Sequence, residues 1–189
     1  MEITLFQTLE DRENPDVIER DGPFQCRFKT AWLGLGYYFW DTHIQLGHWW
    51  GRLNYPSGYV ICRSSAILDD TCWDLHGNGR HREEFEKTCE ELISKKLSTR
   101  DSLLVPQVIT YLANSKRFPF RAIRALGMES ISHNLTDNFV VFRIKFKYDK
   151  KSFLDLRPPV QLCLLDRKAL TLKDYVIVYP DHYVDFDYA

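Results

Sequence analysis

Between Ala31 and Gly51 the chain reads AWLGLGYYFWDTHIQLGHWWG, a run of aromatic residues entered through Gly34 and Gly36. Tyr37 to Trp40 offer flat rings on a predicted strand, and bulky aromatics favour that conformation. The two glycines let the backbone turn tightly or approach a ligand closely, because they lack a Cβ. The residues fit either a stacking site for a planar ligand or a core strand entered through a bend. Other chemistry-bearing groups are more dispersed. Cys72, His76, His81 and Cys89 are zinc-ligand types, but their spacings match no finger or ribbon pattern. Arg121 and Arg124 stand three apart in FPFRAIRALG. On the short helix predicted within Phe120 to Leu126 they share a face, for a phosphate clamp or for surface contacts. Arg143, Lys145 and Lys147 alternate with apolar residues and join Lys150, Lys151 and Arg157 in a basic strip. That strip reads as an anion-binding surface or as the solvated face of a strand. Ser64-Ser65 lacks the glycine context of a nucleophile elbow.

The segment GLGYYFWD resembles the second signature of the ADP-ribosyltransferases related to diphtheria toxin and the poly(ADP-ribose) polymerases. The small bacterial toxin-like members are the nearest in kind. In these enzymes a Gly-x-Gly-x-Tyr-Phe strand sets a tyrosine against the nicotinamide ring of NAD. Residue by residue, Gly34 and Gly36 take the glycine positions, Tyr38 the stacking tyrosine and Phe39 the phenylalanine, with Tyr37 or Trp40 as a further wall. The first signature, an early strand of aromatic-His-Gly-Thr/Ser, is matched by Phe6, Gln7 and Thr8. Gln7 replaces the histidine that holds a ribose hydroxyl, and it keeps both a donor and an acceptor. The third signature, a strand opened by glutamate, is matched by Gln161-Leu162-Cys163-Leu164-Leu165-Asp166, followed by Lys168-Ala169-Leu170. Glutamine again replaces the family residue, and Asp174, which also opens an apolar strand, is the alternative acid.

The resemblance implies an α+β fold: one domain over residues 1–189, with a split, strongly bent β-sheet core and inserted helices. It implies transfer of ADP-ribose from NAD to a macromolecule, with Gln7, Tyr38 and Gln161 as the catalytic set. Phe6, Thr8, Gly34, Gly36, Tyr37, Phe39 and Trp40 would then line the NAD site. Arg121, Arg124, Lys150, Lys151 and Arg157 would bind the acceptor, which is RNA, DNA or protein. Small members of this kind are often growth-arresting toxins or anti-phage effectors, which would add an antitoxin partner. Cleavage of the glycosidic bond develops positive charge on the ribose. Glutamine keeps a hydrogen bond there but loses the charge. A catalytically silent member that binds NAD, nucleic acid or protein is therefore the alternative, and a basic nucleic-acid-binding module unrelated to NAD is a third reading.

The elements that must position these residues follow from composition and periodicity. The chain has 189 residues, 44% hydrophobic and 14% aromatic, enough for one well-filled domain. No apolar run approaches the roughly 20 residues that span a bilayer, and MEITLFQTLEDRE has no signal-peptide pattern. A cytoplasmic protein with no membrane partner is expected, and its five cysteines form no Cys-x-x-Cys pair and read as reduced thiols. Net charge is only −1, yet residues 1–23 hold seven acids against two arginines, and residues 116–168 hold twelve Lys/Arg against five Asp/Glu. A basic middle between acidic ends suits a polyanionic partner, whether the pyrophosphate of NAD or a nucleic acid. Strands are predicted over residues 2–9, along the aromatic run, and over 59–68, 138–148, 160–165 and 175–179. Helices are predicted near 42–50, over 81–97, and after a cap at Asp101-Ser102.

Overall fold

The structure is a computed structural model that describes residues 1–28, 31–115, 118–127, 143–147 and 152–184. It is a mixed α+β fold in which the described residues form four α-helices and a seven-stranded mixed sheet. Strands β1 (Glu2–Glu10), β2 (Tyr37–Asp41), β3 (Tyr59–Ile67), β4 (Cys72–Asp74), β5 (Ala122–Leu126), β8 (Val160–Leu164) and β9 (Lys173–Tyr179) form it. Their order across the sheet is β4-β5-β8-β2-β1-β3-β9. Among the described strands only β4 and β5 run parallel. Strands β6 (Arg143–Lys145) and β7 (Phe153–Asp155) form a separate antiparallel pair.

The strands follow from their sequences. β8 reads VQLCL and is buried at all five positions, as a central strand covered on both faces must be. β2 lies between β1 and β8, so its aromatic run is core as well as candidate site. Its pairing with β1 is limited to Leu5–Asp41 and Phe6–Trp40. On one face α2 (Ile44–Asn54) covers Phe6, Trp40 and Ile61, while α3 (Gly79–Ser94) and α4 (Val105–Asn114) cover Trp73, Ile123 and Cys163. On the other, Ile18 of α1 (Pro15–Asp21) packs with Val60, Cys62 and Ile177. Among the described residues no helix is long and apolar enough to cross a membrane.

Two local expectations are corrected. Residues 122–126 form a strand, not a helix, since β4 and β8 hold their backbone from both sides. Helix α4 starts later than the expected Asp101-Ser102 cap. The Leu104 N–H donates to Gln107 Oε1 at 2.9 Å, while Ser102 Oγ is spent on the Thr99 turn. Helix α3 behaves as its periodicity requires, with the Asn78 side chain accepting from the Arg80 N–H at 3.0 Å.

Candidate functional site

Cross-strand partners in a sheet project to the same face, so register decides which candidate residues can meet. One row runs Phe6–Trp40–Gln161–Ala125 across β1, β2, β8 and β5. The next row on that face contains Tyr38, Cys163 and Ile123. Tyr38 and Gln161 therefore share a face on adjacent strands. Tyr37 and Phe39 project to the opposite face, where they join the Leu5, Leu162 and Leu164 cluster. The expected ring site cannot include Tyr37 or Phe39 together with Tyr38.

Gln7 is the main correction. It follows Phe6 on β1 and so projects away from Gln161. This overturns the expected catalytic set of Gln7, Tyr38 and Gln161 in one cleft, and with it the argument for ADP-ribose transfer that rested on both glutamines meeting one ribose. Gln7 is 4% exposed, and its carboxamide is fully used. Nε2 donates to Phe24 O at 2.9 Å and to Tyr38 O at 3.3 Å. Oε1 accepts from the Phe24 N–H at 2.9 Å and the Tyr175 hydroxyl at 2.7 Å. Gln7 ties β1, β2, β9 and the 22–26 segment together and has no capacity left for a ribose. Gln7→Met is expected to cost about 2–3 kcal/mol in urea unfolding, because it leaves buried partners unpaired, while NAD affinity stays unchanged. Lost affinity with unchanged stability would return Gln7 to the site.

Other expected contacts are redirected as well. Thr8 Oγ1 donates to Gly47 O of α2 at 3.1 Å. Asp174 lies on β9, four strands from β8, roughly 19 Å along the sheet at about 4.8 Å per strand. It cannot stand in for a carboxylate at Gln161. Arg121 and Arg124 do not form a clamp, since their odd spacing on extended chain separates them. Arg121 pairs with Asp166 at the surface. Arg124 is partly buried, its side chain 11% exposed, with Nε donating to Asp41 Oδ2 at 2.7 Å and an Nη donating to both Asp74 oxygens at 3.1 and 3.2 Å. The Arg157 backbone N–H donates to Asp155 Oδ1 at 3.0 Å. Burial and the nearby Arg157 charge hold His43 below its ordinary pKa. Lys150 and Lys151 lie outside the described residues, as do positions 138–142 of the predicted basic strand.

Tyr38 serves the loop before it. Its hydroxyl donates to Gly34 O at 2.7 Å and accepts from the Leu33 N–H at 2.8 Å. Burial raises its pKa, so it stays a neutral phenol. Gly34 has φ +88°, a conformation that favours glycine. Gly36 is required for a different reason. A Cβ there would lie 2.4 Å from Cys163 Sγ and 2.5 Å from Leu164 O, so β2 meets β8 only without one.

What remains open on the shared face is Gln161. The residue is 7% exposed, and among the described residues its buried Oε1 has no hydrogen-bond partner. An unpaired buried amide oxygen costs about 1–3 kcal/mol, so native structures seldom keep one without a use. Three tryptophans gather around it. Trp40 is its direct neighbour on β2, Trp50 packs on Trp40 with ring centroids 6.1 Å apart, and Trp32 meets Trp50 edge-on at 6.2 Å. The Trp32 ring and Gln161 Oε1 both flank Gly127: a Cβ there would be 2.9 Å from the ring and 3.9 Å from the oxygen. The amide oxygen and the Trp32 indole thus meet at Gly127, with Trp40 beside Gln161 on the neighbouring strand and Trp50 packed on Trp40.

Sequence reasoning passed over Trp32 and the Asp41–Arg124–Asp74 network. The signal for the network was Asp41 itself, a charge ending an aromatic strand that must be buried. No family model, no curated protein and no solved structure matches this chain.

Proposed function

We propose that the chain is an NAD-binding module of the ADP-ribosyltransferase type, one that holds the nicotinamide end of the dinucleotide beside Gln161 and does not consume it. The observation that carries this reading is Gln161 Oε1, buried, without a hydrogen-bond partner among the described residues, and on the face that also carries Trp40 and Tyr38. A planar ring bearing an N–H donor satisfies both halves of that environment, stacking on indole and pairing with the oxygen. Gln161 and Trp40 would hold the ring. Tyr38 and Gly34 would shape the loop above it. The adjacency of β1, β2 and β8, with β1 and β2 paired at only two positions, supports the split, bent core that the resemblance implies.

Binding without turnover is favoured by charge. Stabilising a cationic ribose calls for a carboxylate, and removing one well-placed group of that kind costs about 2.7–4 kcal/mol. Among the described residues none bonds to Gln161, Asp174 lies across the sheet, and Gln7 faces away. The second reading is transfer of ADP-ribose to a nucleic acid or protein. It is favoured by the placement of Tyr38 and Gln161 on one face of neighbouring strands, where the resemblance sets the nicotinamide and the reacting ribose.

Titration calorimetry with NAD, combined with an assay for released nicotinamide, tests both. The expected result is NAD binding, weakened at least tenfold in Gln161→Leu, with nicotinamide released no faster than in buffer. Nicotinamide release with labelling of a lysate component would establish the transferase instead. Absence of NAD binding, together with salt-dependent binding of RNA or DNA, would assign the chain to the nucleic-acid alternative.

A further inference from the structure

We propose that Trp32 is a removable plug: its indole occupies the place on the sheet face where a planar ligand ring docks, and ligand entry requires its departure. This rests on the reading of Gln161 as the ligand's polar partner, and it adds how the site is closed. The Trp32 ring lies against Gly127, where a Cβ would come within 2.9 Å of it, and meets Trp50 edge-on with ring centroids 6.2 Å apart. The ring and Gln161 Oε1 thus lie against the same backbone position, and among the described residues the oxygen has no hydrogen-bond partner while the ring is in place. An indole over an orphaned acceptor satisfies the apolar half of the site and leaves the polar half unsatisfied. A ring that also carries an N–H satisfies both and displaces it.

The anchor of the plug is short. Leu33 is buried, and the Tyr38 hydroxyl holds the Leu33 N–H and the Gly34 carbonyl. Trp32 sits immediately before this clamp, so its side chain can swing away while the clamp keeps the rest of the turn in place. Displacement trades one aromatic contact for another, and the ligand gains only the hydrogen bond and its remaining contacts. Closed in this way, the site binds more weakly than its lining alone would allow, because the competent form is a fraction of the population.

The experiment compares wild type, Trp32→Phe, Trp32→Gly and Trp32→Gly/Gln161→Leu by calorimetry, with nicotinamide, indole and NAD as probes. Thermal melts confirm that each variant folds. Trp32→Gly is expected to bind nicotinamide at least tenfold more tightly than wild type, Trp32→Phe to resemble wild type, and the double variant to lose the gain. If wild type binds NAD through Gln161 but Trp32→Gly gains nothing for any probe, the plug is overturned and the NAD reading stands. If Trp32→Gly gains Gln161-dependent affinity for the rings while no variant binds NAD, the plug stands and the NAD reading falls. No gain for any probe with a folded Trp32→Gly overturns the plug outright.

Discussion

Arg124→Ala is expected to cost about 3–5 kcal/mol of stability, because it strips a buried carboxylate of its cation. Asp41 is 4% exposed and the Arg124 side chain 11%, so water cannot replace the lost partner without opening the sheet. Arg124 also joins Asp41 on β2 to Asp74 on β4, bracing strands that have β5 and β8 between them. Asp74 has further support from the His76 and Gly77 N–H groups at 3.1 and 2.8 Å. The exposed side of the loss is therefore Asp41, whose other oxygen has the Thr42 hydroxyl at 2.7 Å. For a chain of 189 residues the loss corresponds to about 6–20 °C in Tm. The double variant Arg124→Met/Asp41→Leu should recover a large part of it, since removing both charges also removes their desolvation cost. A loss below about 1 kcal/mol in Arg124→Ala, the size expected of an exposed pair, would mean that the network is hydrated and contributes little.

The same network shows where reading the chain by itself stops. Strands β1, β2, β3, β8 and β9 and helix α3 carry their own local signals: aromatic or β-branched runs, or charge-dense sequence with apolar residues at helical spacing. β5 carries the opposite signal, because Ala, Arg and Leu are good helix formers. Its strand conformation comes from β4 and β8, whose paired residues lie 34 to 50 positions away. Local propensity loses to pairing there, and the imagined Arg121–Arg124 face disappears with the helix. The site is a matter of register. Gly34, Gly36, Tyr38 and Gln161 could be singled out from their motifs, but whether Gln7 meets Gln161 depends on Phe6 pairing with Trp40 and Trp40 with Gln161. One residue of slip would put Gln7 on the other face. Nor does any motif indicate that Trp32 packs against Gly127 beside Gln161 of β8. That placement is set by the Tyr38 hydroxyl and by the bare backbone at Gly127.

Gln161→Glu is expected to make stability fall steeply with rising pH, which makes it a direct test of how closed the site is. The substitution keeps shape and places a carboxyl group where an oxygen is already buried without a partner. Desolvation raises the pKa of such a group, by up to about 3–5 units when burial is complete. The sign follows from the protonation states. In the unfolded chain the glutamate titrates near pH 4.3, while in the folded chain it holds its proton to a higher pH. Below the unfolded pKa both states are neutral, and the variant should match wild type. Between the two pKa values the unfolded state gains the ionised form and the folded state does not, so stability is lost at about 1.4 kcal/mol per pH unit. Above the folded pKa the loss levels off. Urea unfolding of both proteins from pH 4.5 to 8.5 should therefore give curves that separate as pH rises. Parallel curves would mean that the side chain already reaches water, and the buried site would be wrong. The origin of the burial is tested by adding Trp32→Gly to the variant. If the indole is what keeps water out, the double variant hydrates the carboxylate and the curves close up again. If the pH penalty persists without the indole, the sheet and α2 exclude water by themselves, and a ligand reaching Gln161 must move more than one side chain.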